Sequence, residues 1–282
     1  MTSPLRARLL LIAAAVLFST GGAAIKAPAL TGWQIAAFRS GIATVFLLAA
    51  IPETRRGWSL RMLPVAACYA ATLVSFVLAN RLTTAANTIF LQSTAPLYVL
   101  LLGPFVLHEP IRRRDLAFVA AVCAGIACFF AGSAPAAVTA PDPHRGNLIA
   151  LLSGLFYALM LTGLRFLARG SAHQSATATV ALGNLLACLA ALPMALPTAA
   201  ISTRDFSALL YLGIVQIGIA YLCLVRGMRH VRAVEASALL MVEPALNPIW
   251  TWLVHGETPA VWSIAGGLLI LGASFYNAAS KT

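Results

Sequence analysis

Two ionisable side chains stand well inside long apolar stretches of this chain, away from their ends, Glu243 within 233–254 and Arg39 within 33–51. A charge at the centre of a membrane helix costs about 2.5–3.5 kcal/mol on insertion scales, so such residues are candidates for function. Glu243 could carry a coupling proton or bind a substrate amine. It could equally be a structural partner of Arg39, or a neutral acid bonded to backbone freed by Pro244. Glu109 and Glu257 fall at the ends of apolar runs, where capping or loop pairing is expected. Hydrolysis or group transfer would need clustered His, Asp or Glu. The histidines (His108, His144, His173, His230, His255) are instead spread over loops and span ends. No Gly-rich phosphate loop or Ser/His/Asp arrangement is present. Cys68, Cys123, Cys128, Cys188 and Cys223 sit in apolar segments without metal-ligand spacing and read as small buried hydrophobes. The pattern predicts no enzyme, no metal and no cofactor.

The elements that must carry these residues follow from composition. Soluble domains are roughly 45–50% apolar and about 25% charged. Here the apolar share is 60%, the charged share 10% and the mean hydropathy +0.88. So little charge cannot cover a water-facing surface, and the main solvent must be a lipid bilayer. Spanning its core takes about 20 apolar residues. Segments 7–25, 33–51, 62–80, 85–107, 114–132, 147–168, 175–196, 206–225, 233–254 and 260–278 meet that length. They are continuous, which excludes the alternating ten-residue strands of membrane barrels. The first segment imitates a signal peptide, but so many spans follow that a retained helix is the expected reading.

A net charge of +11 could suggest nucleic acid, but the basic residues sit singly or in short clusters between apolar runs. That pattern suits loops at an anionic membrane face, so nucleic-acid binding is not expected. Threading ten spans with the N-terminus inside places 14 Lys and Arg in the cytoplasm and 4 outside, with Arg39 within a span. The bias obeys the positive-inside rule. Both termini are thus expected in the cytoplasm, with the chain multi-pass in a bacterial-type cytoplasmic membrane. Glu243 then lies about 15 Å from the inner end of its helix and Arg39 about 9 Å from the outer end of its own. In a core of about 30 Å an ion pair between them is geometrically allowed.

The chain also repeats itself. Pro96 matches Pro244, Glu109 matches Glu257 and Arg81 matches Arg229, all at an offset of 148. Leu17-Phe18-Ser19 resembles Leu155-Phe156-Tyr157. The polar, Pro-rich break divides the chain into 1–132, a linker 133–146, and 147–282. With five spans per half, any such repeat must be inverted across the membrane. The expected fold is an all-α polytopic membrane protein of ten helices in two inverted five-helix repeats.

The element running from a proline through an apolar stretch to Glu, at Pro96 to Glu109 and Glu243-Pro244 to Glu257, resembles the EamA domain of the drug/metabolite transporter superfamily. Phe18-Ser19-Thr20 followed by Lys26, and Arg39 in the second helix, carry the same resemblance. Two such domains would cover essentially the whole chain, and length and form are similar to YddG-type amino-acid exporters. The resemblance implies a central cavity lined by the first, third and fourth helices of each half. Ser19, Thr20, Tyr69, Asn87, Gln92, Ser93, Tyr157, Gln216, Tyr221, Glu243, Asn247 and Trp250 are then candidate substrate contacts. Arg39, Glu243, Pro96 and Pro244 are candidates for structural or coupling roles. One departure is that the counterpart of Arg39 falls near Asn184. Trp33, Trp58 and Trp262 read as interfacial anchors.

The function implied is a secondary transporter that exports amino acids, aromatic ones among them, or related small metabolites by alternating access. The alternative is efflux of lipophilic cations, against which stands the absence of any acid in segment 7–25. The expected partners are a small-molecule substrate and the bilayer, with the protein a monomer or weak homo-oligomer.

Overall fold

A computed structural model describes residues 4–107, 111, 113–131, 136–168, 173–198, 200–228, 231 and 233–279. The residues His108, Glu109, Arg112, Arg169, Arg229, His230, Arg232 and Lys281 of the sequence reading lie outside the described residues, as do the side chains of Arg113, Arg114, Arg165 and His173.

The protein is all-helical. In chain order the helices are α1 (Pro4–Ser19), α2 (Gly21–Lys26), α3 (Gly32–Ala50), α4 (Leu63–Leu82), α5 (Ala85–Gln92), α6 (Ala95–Leu102) and α7 (Arg113–Ala131). They continue as α8 (Pro143–Ala168), α9 (His173–Ala195), α10 (Thr203–Leu210), α11 (Ala220–Met228), α12 (Ala233–Leu240), α13 (Val242–His255) and α14 (Val261–Ala279). Helix starts follow local chemistry. Thr31 and Gln34 form a reciprocal capping box at α3. Thr84 caps α5 by accepting from Asn87 N, and Ser202 caps α10 by accepting from Asp205 N.

Among the described residues, seven helical stretches are long and apolar enough to cross a membrane: Leu5–Lys26, Gly32–Ala50, Leu60–Leu82, Ala85–Val106, Pro143–Leu164, Thr177–Ala195 and Thr203–Met228. Asp115–Ala131 and Val261–Asn277 are apolar but shorter. The remaining expected span, 233–254, is carried by α12 and α13, which a turn at Met241 separates.

Several spans are not plain α-helix. Turns interrupt them at Thr20, at Ser93-Thr94 and at Met241, the last two 148 residues apart when Ser93 is compared with Met241. Pro96 and Pro244 stand in the first turns of α6 and α13, just past those interruptions, where a missing N–H is least costly. Wide π turns occupy Gly103–Leu107 and Tyr211–Ile219. Hydroxyls at these turns also donate to carbonyls a turn back: Ser19 to Val16 O and Thr20 to Leu17 O, both at 2.7 Å. At the second interruption Ser93 donates to Ile89 O at 2.7 Å and Thr94 to Leu91 O at 2.6 Å. In lipid no water can take this role.

The most extensive packing joins α4 to α8 and to α9, α3 to α9, α7 to α14 and α1 to α11, so each pair takes one helix from either side of the linker. Where α7 meets α14 the backbones nearly touch, and a Cβ added at Gly266 would lie 2.7 Å from Gly125 O. Small residues permit such approaches in membrane helices. Gly266→Val is therefore expected to lower the detergent-solubilised melting temperature, at a cost of about 1–3 kcal/mol. Gly272→Ala, where nothing lies within 4 Å, should leave it unchanged or slightly raised. Equal melting of Gly266→Val and wild type would show that this contact is not close.

Candidate functional site

The candidate residues fall into three levels along the bundle. At one end, a polar seam surrounds Lys26. Its Nζ lies 2.9 Å from Glu257 Oε2 and donates to Thr83 O at 2.9 Å and to Thr139 O. Glu257 Oε1 accepts from Ala85 N at 2.7 Å, capping α5. His255 Nε2 lies 2.8 Å from Ala23 O, a contact that requires a proton on that nitrogen. Asn87 belongs to this seam. Its Nδ2 donates to Asn147 Oδ1 at 3.0 Å, which also accepts from Thr83 Oγ1 at 2.8 Å.

The second level is the interruption between α1 and α2. Trp250 Nε1 donates to Ser19 Oγ at 2.9 Å, and Tyr211 donates to Thr20 Oγ1 at 2.9 Å. Gln216, in the π turn of 211–219, donates to Phe18 O at 3.4 Å. The glycines at the turn let these side chains press in: a Cβ on Gly22 would lie 2.5 Å from Asn247 Oδ1. Asn247 is 1% exposed and neither amide atom has a hydrogen-bond partner. Gln92 and Ser93 lie at the other first-half interruption, where Gln92 Nε2 donates to Ser153 Oγ at 2.8 Å.

The third level is aromatic and acidic. Tyr69 (α4), Tyr157 (α8) and Tyr221 (α11) converge with Glu243 at the start of α13, whose carboxyl acts electrostatically on all three phenols. The rings of Tyr69 and Tyr221 meet edge-on with centroids 6.1 Å apart, and Phe18 meets Tyr221 at 5.3 Å. Asn184 abuts Tyr69, as does the field of Arg39. Arg39 is 2% exposed and donates from Nη2 to Leu73 O at 3.2 Å, while Nε has no partner. The ion pairs seen among the described residues are Arg8–Glu235, Lys26–Glu257 and Arg145–Asp142, so Arg39 and Glu243 do not form one. Arg39 instead meets a carbonyl and a phenol. Among the described residues, no cluster of three His, Cys, Asp or Glu could hold a metal.

Residues 5–131 and 144–278 each match the EamA-like transporter family. The chain belongs to that family. Membership makes this EamA-like protein a multi-pass membrane transporter and not an enzyme. It is 26% identical over 276 residues to the pseudopaline exporter CntI of Pseudomonas aeruginosa, covering 94% of this chain and 93% of that one. It is 30% identical over 81 residues to an uncharacterized transporter of Clostridium kluyveri, 29% of this chain and 26% of the other. A solved crystal structure superposes over 96% of both chains with a TM-score of 0.62 at 20% identity, which shows a shared fold.

The sequence reading grouped these side chains as one lining, and the structure separates Asn87 from the tyrosines by the length of a helix. It also brings in Phe18 and Asn184, which the sequence had marked only as a motif residue and as the counterpart of Arg39, and Tyr211 and Asn147, which carried no signal beyond being polar or aromatic in a span. Glu257 was expected to cap a helix or to pair with a loop, and it both caps α5 and pairs with Lys26, which the sequence had singled out only through the family resemblance. Their meeting depends on where α2 ends relative to α13, which no local pattern states. Gly183 is what lets Tyr69 lie against α9, since a Cβ there would sit 2.5 Å from Tyr69 Cδ1. Gly183→Ala should therefore destabilise the protein by about 1–3 kcal/mol. Adding Tyr69→Ala should restore part of that loss, a non-additivity of about 0.5–3 kcal/mol in thermal unfolding. Additive effects would show that the two residues do not touch.

Proposed function

We propose that this transporter is an exporter of small amphipathic metabolites bearing an amine, amino acids among them. Its reading as ten helices in two inverted halves, residues 1–132 and 147–282 around a linker, goes with that function. The observation that carries the proposal is the convergence of Glu243, at the start of a half-helix, with tyrosines from both halves. A carboxylate can receive an ammonium group, and aromatic faces suit both its apolar body and its charge. Interrupted helices near the midplane are a common way to build such sites in transporters of inverted repeats.

Two features support the inverted arrangement. The interruptions at Ser93 and Met241 stand at the same repeat offset as Pro96 and Pro244. The packing is also preserved when the halves are exchanged. The pairs α3–α9 and α7–α14 map onto themselves, and α4–α8 maps onto α1–α11. Rocking one half against the other would then expose the site alternately to each side. Glu243 serves as the amine or proton group, Tyr69, Tyr157 and Tyr221 as the wall, and Ser19, Thr20, Gln216, Asn247 and Trp250 as polar contacts at the first interruption. Transport would be driven by a gradient or facilitated, in a bacterial-type cytoplasmic membrane with both termini inside.

The export direction is supported by the relative that exports pseudopaline. A second reading, efflux of lipophilic cations, is favoured by the same acid among aromatic rings. Proteoliposomes holding only this protein separate the two when given amino acids, pseudopaline and a lipophilic quaternary ammonium. Amine-bearing metabolites are expected to move. A Glu243→Gln variant with wild-type melting should lose about tenfold or more of that flux, a transition-state loss of about 1.4 kcal/mol. Vesicles inert across the panel, or a Glu243→Gln variant at full rate, would overturn the proposal.

A further inference from the structure

The line of α1 and α2 is joined to the line of α12 and α13 at both ends, by ion pairs of opposite character. Arg8 meets Glu235 at 2.5 Å with side chains 52% and 38% exposed. Lys26 meets Glu257 at 2.9 Å with both side chains only 4% exposed. An exposed pair is worth about 0–1 kcal/mol and is already hydrated, so separating it changes little. A buried pair behaves differently: intact, it roughly offsets its own desolvation, but half-made it leaves an uncompensated charge. It is therefore either closed or fully hydrated.

The buried pair is also tied to its surroundings on both sides. Lys26 Nζ lies 2.9 Å from Glu257 Oε2 and donates to Thr83 O and to Thr139 O. The second oxygen of Glu257 takes Ala85 N at 2.7 Å. One ammonium thus holds together α2, the α4–α5 turn, the linker and the α13–α14 turn, which belong to both halves. Beside it, His255 reaches Ala23 O and Asn147 takes donors from Thr83 and Asn87. Below this seam lie the half-buried Thr20, Tyr221, Tyr157 and Glu243. The groups that face Lys26 besides its acceptors include Arg81, whose guanidinium donates to Pro28 O at 3.4 Å.

We propose that Lys26 and Glu257 are the outer gate: closed while the site faces the cytoplasm, broken and hydrated when it faces outside. The proposal rests on the alternating-access reading and on the side that the charge bias assigns to this seam. Its mechanical content is separate from the substrate. Removing either charge takes away a contact made in one state only, so the population shifts to the other. The exposed Arg8–Glu235 pair exerts no such control.

The experiment reads accessibility and needs no substrate. In a chain whose five cysteines are replaced, Thr20→Cys places one thiol beneath the seam, and a membrane-impermeant maleimide is added to either side of sealed vesicles. Slow labelling from outside is expected with the pair intact. Lys26→Met should speed it about tenfold or more. Glu257→Gln, which keeps an oxygen for Ala85 N, should do the same where Lys26→Met does not fold. Arg8→Met should not. Folded Lys26→Met and Glu257→Gln variants that label at the parent rate would reduce the pair to a structural tie. Acceleration only from the cytoplasmic side would overturn the assignment of the gate to the outside. If vesicles move no metabolite yet the labelling responds as expected, the function fails and the gate stands.

Discussion

Inside hydrocarbon a backbone carbonyl or amide has no water to turn to, and the rest of this structure follows from that shortage. It explains why the described spans are helical and why hydroxyls gather at two of the interruptions. Where the helix stops at Thr20, the hydroxyls of Ser19 and Thr20 bend back onto Val16 O and Leu17 O. Where it stops at Ser93-Thr94, the same two residue types cover Ile89 O and Leu91 O. At the start of α5 a carboxylate from the far side of the sequence, Glu257, takes the first amide. An interruption is thus tolerable only where polar side chains gather, and polar side chains gathered in a membrane are the material of a binding site.

The two buried cations solve the same problem in different ways. Lys26 is paired with a carboxylate and donates to two carbonyls. Arg39 has a carbonyl and a neighbouring phenol, and its Nε finds no partner. Its Coulombic reach ends on Tyr69, the residue that Glu243 also acts on. One phenol therefore lies in the fields of a cation and an acid that do not form an ion pair with each other.

Much of this was legible from residues in order. Hydropathy located the seven long stretches able to cross a membrane, and the repeat offset paired Pro96 with Pro244, although their place in the first turn after an interruption was not visible. Ionisable residues in spans were recognised because each is costly there, which singled out Glu243 and Arg39, while Ser19 and Asn247 came in through the EamA resemblance. Their grouping was not legible. Asn87 and Gln92 share one short helix, yet Asn87 joins the Lys26 seam and Gln92 reaches Ser153. The span of 233–254 also reads as one apolar run, while the fold divides it at Met241.

By itself the sequence determined the solvent, the helical class and the scarce residues able to do chemistry, because these depend on composition and on periodicity along one chain. The EamA-like family entered as a resemblance on motif residues, Pro96 to Glu109 and Glu243-Pro244 to Glu257, and the family match over 5–131 and 144–278 bears it out. Only the tertiary structure decided that Lys26 meets Glu257, that Glu243 faces Tyr69, Tyr157 and Tyr221, and that Arg39 does not pair with Glu243. Those meetings join residues far apart in sequence. They turn on helix rotation and close approach at glycines such as Gly22 and Gly183, quantities set by packing between helices and not by any local pattern.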